Sequence, residues 1–266
     1  MARVERAGVE SISIDPTRLL LPETTMMLRF IAAFALAVGL ASARAEGPSL
    51  QPFAGSGSTP AAPWHVSGLP QQTKPYTQFS VVEIDGKRAL KVEATESYGN
   101  LVHPLQWATN AVHLAWQWRI EKQIETADLR VKSGDDTTLK VCVFFDLPMD
   151  KIPFGDRQLL RFARSKSADP VPGATVCYVW DAQLPAGTML DNAFTRRMRY
   201  VVVRSGSQPL NQWVAERRDV AADFFKLFGA ESGDQLPPVI GVAVGADSDN
   251  THTQSIAYVT GLVLEP

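Results

Sequence analysis

Histidine is scarce in this chain. His65, His103, His113 and His252 stand far apart, and no two lie at metal-ligand spacing. With only two cysteines beside them, zinc chemistry has no ligand set to use. The nucleophile elbow G-x-S-x-G, the phosphate loop and the dinucleotide turn G-x-G-x-x-G are all missing. A basic excess is missing as well: 26 Lys and Arg stand against 28 Asp and Glu, a formal net charge of −2. A nucleic-acid face needs positive charge in excess, so no nucleic-acid partner is expected. The same balance gives no case for an anionic membrane.

Long apolar runs are also few. The run that stands out, Phe30 to Leu40, is too short for a comfortable membrane span. It follows Met26-Met27-Leu28-Arg29 and ends in Ala41-Ser42-Ala43-Arg44-Ala45. A positive start, a short apolar stretch and an Ala-x-Ala exit are the parts of a secretory signal, with cleavage expected after Ala45. Residues 26–45 are therefore expected to be a signal peptide, and residues 1–25 a misplaced extension upstream of a start at Met26 or Met27. That predicts a periplasmic or secreted protein with no membrane span once the signal is removed.

The rest has an ordinary globular balance, 45% hydrophobic and 20% charged. Residues 46–63, rich in Gly, Ser, Pro and Ala, read as an extended lead-in, and residues 64–266 as one domain. Within it, His113 to Ile120 puts Leu114, Trp116, Trp118 and Ile120 on one face of a strand. Tyr76 to Ile84 and Ala89 to Ala94 flank Asp85-Gly86-Lys87, a hairpin turn. Leu139 to Asp146, Thr175 to Asp181, Ile240 to Ala246 and Ile256 to Leu264 read as further strands. Arg199 to Val220 reads as a doubly covered central strand, a polar turn and a second strand leading into a helix. Asp156 is expected to cap a helix in which Leu159, Leu160 and Phe162 pack. Asp219 is expected to start another, ended by Gly229. Eight to ten short strands with two short helices predict a mostly β fold, a jelly-roll-like antiparallel β-sandwich.

Chemistry has few places to sit. Asp136 or Asp146 with Glu216 could supply the paired carboxylates of a glycan hydrolase. Arg204, Glu216 and Arg218, with Trp213 and Trp180, could instead form a sugar-binding face, or a ladder of cross-strand ion pairs. Asp247, Asp249 and Thr251 alternate oxygen ligands as calcium sites do. His252 and Tyr258 stand where an EF-hand needs Gly and Glu, so only another kind of calcium site, or a loop that caps its own turns, fits. No other cofactor is expected. Cys142 and Cys177 lie in strand-like runs: they form a disulfide if those strands are neighbours, or remain two buried thiols.

Several short motifs recur in a fixed order: Trp116-Gln117-Trp118-Arg119-Ile120, Gly134-Asp135-Asp136, Val141-Cys142-Val143-Phe144-Phe145-Asp146, Tyr178-Val179-Trp180, Val202-Val203-Arg204-Ser205-Gly206, Trp213 to Val220, and Asp247 to Thr251. In that order the chain resembles the domain-of-unknown-function 3047 family of exported bacterial proteins, from about Phe53 to Leu264. The resemblance implies export and a single domain. It implies no activity and assigns no residue a role. A non-catalytic binding module for carbohydrate or a cell-envelope component is the function expected first. A glycan hydrolase and a structural envelope protein are the alternatives.

Overall fold

The computed structural model describes residues 49–53, 57–206 and 209–266. The expected signal peptide and the extension before it lie outside the described residues. Residues 45–266 form one compact unit.

Alternation sets the layers. His113–Lys122 (β5) buries Leu114, Trp116, Trp118 and Ile120 and leaves the residues between them half-buried. The other described strands are His65–Ser67 (β1), Gln78–Ile84 (β2), Lys87–Thr95 (β3), Tyr98–Trp107 (β4), Thr137–Phe145 (β6), Ala174–Asp181 (β7), Met189–Asp191 (β8), Met198–Ser205 (β9), Val214–Asp219 (β10), Val239–Asp247 (β11) and Gln254–Glu265 (β12). Two helices, Phe154–Lys166 (α1) and Val220–Ser232 (α2), interrupt them. Asp85 and Gly86 both have positive φ, 51° and 70°, which suits a two-residue hairpin turn between β2 and β3.

The strands form two sheets. One has seven strands in the order β1-β4-β11-β6-β7-β9-β8, the other five in the order β10-β5-β12-β3-β2. Their facing residues share one core, with Leu90, Trp116 and Trp118 from the smaller sheet against Val141, Tyr178 and Val244 from the larger. This is the expected mostly β sandwich, with one departure: β7 and β9 run parallel. β9 is not central. It lies next to the free edge formed by β8, and it reaches β10 in the other sheet rather than pairing with it. Cys142 and Cys177 face each other across β6 and β7 and are bonded.

Three local expectations are corrected. Pro153, not Asp156, precedes α1, and only Leu160 of that helix is buried, so Leu159 and Phe162 do not pack. Asp219 does cap α2, accepting from the Ala222 N–H at 2.9 Å. Gly229 does not end α2. The helix carries its apolar face through Phe228 to Ser232 and stops at Gly233, whose φ of 68° suits glycine. β4 escaped the sequence reading because its inward positions are Gly99, Leu101 and His103, only one of them a large aliphatic.

Candidate functional site in the outer face of the larger sheet

In β6, Leu139, Val141, Val143 and Phe145 face the shared core, so Lys140 and Cys142 must face outward. The same parity turns Tyr200 outward on β9, Asp247 on β11 and Tyr98 on β4. Asp247 stands opposite Tyr98 across β11 and β4, and Gly245 opposite Lys140 across β11 and β6. Gly245 is required there, since a Cβ would lie 2.8 Å from the Gly99 carbonyl and would also collide with Asn100. The loops before β6 and after β7 cover part of this face, where Leu129 and Leu184 pack on the disulfide, Val179 and Val202.

Next to that cover is a cavity of about 240 Å³. Its floor is polar and deeply buried. Lys140 is 1% exposed; its ammonium lies 2.9 Å from Asp247 Oδ1 and 4.9 Å above the Tyr98 ring. Asp247 also accepts from the Thr137 N–H at 2.9 Å and from the Thr137 hydroxyl. Burial works against the charge on Lys140, but Asp247 and then Tyr98 outweigh it and hold the amine above its ordinary value. Asp135 has no such cation. It accepts from the Tyr200 hydroxyl at 3.2 Å and from the Asn192 amide. Burial, then the Asp247 charge, push its carboxyl up to about 7, against the pull of Lys140, Tyr200 and Asn192. Burial and Asp135 together drive the Tyr200 phenol well above its usual value.

The wall is partly open. Lys74 pairs with Asp249 Oδ2, while Asp249 Oδ1 is buried with no partner among the described residues. Phe194 lines the cavity and is 55% exposed. Asp136 holds the neighbouring loop from behind. It accepts from the Asn250 N–H and amide at 3.1 Å each, and from the Thr251 N–H and hydroxyl at 2.7 and 2.6 Å.

The residues singled out from sequence are placed apart. Asp136 is that loop anchor. Asp146 is exposed at the end of β6. Glu216 accepts from Arg204 at 2.6 Å and from the Trp118 indole at 3.2 Å, a bridge between the two sheets. Arg218 holds Asp223 through both carboxylate oxygens, at 2.9 and 2.7 Å, and Tyr178 donates to the same acid at 3.2 Å. Asp136 and Glu216 are each engaged by partners of their own, and Asp146 stands at the opposite end of β6 from Asp136, so the three do not converge as a catalytic pair. Trp180 is 1% exposed and donates its indole N–H to the Gly206 carbonyl at 2.9 Å, so it offers no ring face to a sugar. Trp213 is half-buried beneath the Lys87 ammonium, 5.0 Å from its ring centre. Asp247 and Asp249 meet two different lysines, and Thr251 turns to Asp136. Among the described residues no three His, Cys, Asp or Glu gather as a metal cluster.

Lys140, Asn192, Tyr98 and Tyr200 were missed. Lys140 left one signal, a single lysine inside the apolar run Leu139 to Phe145. Asn192 left none, because only the fold brings it to Asp135.

Fold and site together define a β-sandwich with a small cavity on one outer sheet face, lined by both charged and apolar side chains. The chain belongs to a family of proteins of unknown function, DUF3047, whose model matches residues 62–263. Among solved structures it is similar to TmCBM61, a carbohydrate-binding module determined in complex with β-1,4-galactotriose. The two share 9% identity at a TM-score of 0.32, over 76% of this chain and 88% of that one. No curated protein matches the chain. Among the described residues, no helix is long and apolar enough to cross a membrane.

Proposed function

We propose that the protein is an exported binding protein that takes one sugar ring, or a polyol of that size, into the outer-face cavity. The observation that carries this reading is the cavity lining. Lys74, Asp135, Asn192, Asp249 and Asn250 bring donors and acceptors to a space of about 240 Å³. That space is smaller than the ~300–1,000 Å³ of sites for drug-sized ligands. Ligand hydroxyls can replace water at these polar groups, while Leu69, Phe194 and Met198 offer apolar contact to a ring face. Phe194 gives the rim an apolar ring face.

Thermal unfolding against a panel of monosaccharides and their oligomers tests this. A ligand that binds the native state raises the midpoint by mass action. A rise with one sugar class, reduced by Asn192→Ala and Phe194→Ala, supports the reading, and a flat response across the panel overturns it. Export is tested by expressing the whole chain in a bacterium and measuring the mass of the mature protein. An N-terminus at Glu46 is expected, and retention of residues 26–45 in a cytoplasmic product refutes it.

One observation favours a hydrolytic second reading. Asp135, held near 7, sits within the field of the Asp247 carboxylate, and unequal carboxyls are how glycosidases divide acid from base. Any sugar that shifts the midpoint is therefore also assayed for turnover as the glycoside.

A further inference from the structure

Helix α1 wears its apolar side chains outward. Phe154, Leu159 and Phe162 are 72%, 68% and 66% exposed, while Leu160 is its one buried side chain. At 3.6 residues per turn these three fall on the side opposite Leu160. Gln158, Ser165 and Lys166 lie among them, and Arg161 edges the strip; all four are exposed. The helix has a single acid, Asp156, which is half-buried and held by Arg197 at 2.9 Å. The exposed side therefore carries no negative charge.

Its cations are not neutralised. Arg157 donates to the carbonyls of Asp150 and Ile152, Arg164 to that of Val171, and Arg161 to the Gln158 amide. Lys166 lies 6.0 Å from the Phe162 ring centre. Among the described residues, none of these four reaches a carboxylate. The strip is convex, so it suits a yielding surface rather than a fitted pocket. Protruding aromatics edged by unpaired cations are what an interfacial helix presents to lipid: the rings enter the head-group boundary while the cations meet phosphates.

We infer that α1 docks the protein on the surface of an anionic membrane, with Phe154, Leu159 and Phe162 inserted and Arg161 and Lys166 against the head groups. The whole-chain charge of −2 hides this, because it averages a basic helix with acidic loops elsewhere. The inference is independent of the cavity, to which no residue of α1 contributes.

The test uses residues 45–266, the compact unit that holds every described strand and helix and their shared core, because the apolar run before it would bind lipid by itself. Flotation is measured on vesicles of phosphatidylcholine alone and of phosphatidylcholine mixed with phosphatidylglycerol. Partition onto the mixed vesicles is expected to exceed that onto the neutral ones by about tenfold. The triple variant Phe154→Ser, Leu159→Ser, Phe162→Ser is expected to lose about tenfold or more. Arg161→Glu with Lys166→Glu is expected to fall to the neutral-vesicle level. Unfolding midpoints serve as the control, since all five side chains are exposed. Three outcomes overturn the inference: no partition of the parent, equal partition of parent and variants, or retention on polyglutamate without vesicle binding. The last would assign the helix to an acidic protein partner.

Discussion

The two faces of the seven-stranded sheet are made by alternate residues of the same strands, yet they share almost nothing. The inner face carries Val141, Val143, Phe145, Val176 and Val244, all fully buried against the smaller sheet. The outer face carries Lys140, the disulfide, Tyr200 and Asp247, buried only because loops cover them. A period of two lets one strand serve both without compromise. The main core sits on one side of the backbone, and the polar chemistry sits on the other beside a smaller apolar cluster around the disulfide. The difference also shows what the outer face needs. Burying a lysine is tolerable only beside its own carboxylate, so charge and cover must be built together.

Substitutions on each face probe that division. Phe145→Ala, on the inner face against Phe224, should cost about 3–5 kcal/mol by urea unfolding. Lys140→Ala, on the outer face of the same strand, should cost about 3 kcal/mol by leaving Asp247 buried and unpaired. Lys140→Met with Asp247→Leu should restore most of that loss; if it does not, the pair contributes more than mutual neutralisation. Reducing the disulfide, or replacing Cys142 and Cys177 by Ser, should cost about 2–4 kcal/mol for a closure of 35 residues.

The pH dependence separates the faces most cleanly. Asp135 keeps its proton up to about 7 in the fold, but only to about 3.9 in the unfolded chain. Between those values the native state holds the extra proton, so this contribution is full below about pH 4 and is lost as pH rises towards 7. Urea unfolding across that window should show stability falling by about 3–4 kcal/mol relative to Asp135→Asn, which lacks the titration. Equal slopes for the two proteins would refute the placement of Asp135. The smallest expected effect is Phe194→Ala, within about 0.5 kcal/mol in stability because the ring is largely exposed. Its signature should appear only in ligand affinity.

What the sequence made legible was local. The alternation of β5, the Asp85-Gly86 turn and the Asp219 cap each depend on neighbours a few residues apart, and each is in place. The cavity was not legible, because it depends on register. Asp135, Asn192 and Tyr200 become partners only through the parallel alignment of β9 on β7, which no short-range pattern announces. The charged alternation of Glu216 and Arg218 was legible as ion pairing, and Arg204 does hold Glu216; that Asp223 of α2 would take Arg218 was not. The exposed Phe162 and Leu159 show the converse. An apolar residue in a helix was expected to pack, and only the fold reveals that Leu160 alone of the three turns inward.

The free edge of the larger sheet has a consequence for how such a protein can change. Asn192, Phe194 and Thr195 stand in the link between β8 and β9, at the last strand of the sheet, where no further strand hydrogen-bonds among the described residues. Phe194, exposed on the rim, can be exchanged in that link without shifting any inner register, whereas Arg197 in the same link is buried against Asp156 and Glu231 and has to stay. Lys140 and Asp247, by contrast, belong to strands in the sheet's interior. A lineage built on this plan can therefore revise what the cavity prefers by exchanging one border residue, while the charged floor is inherited intact.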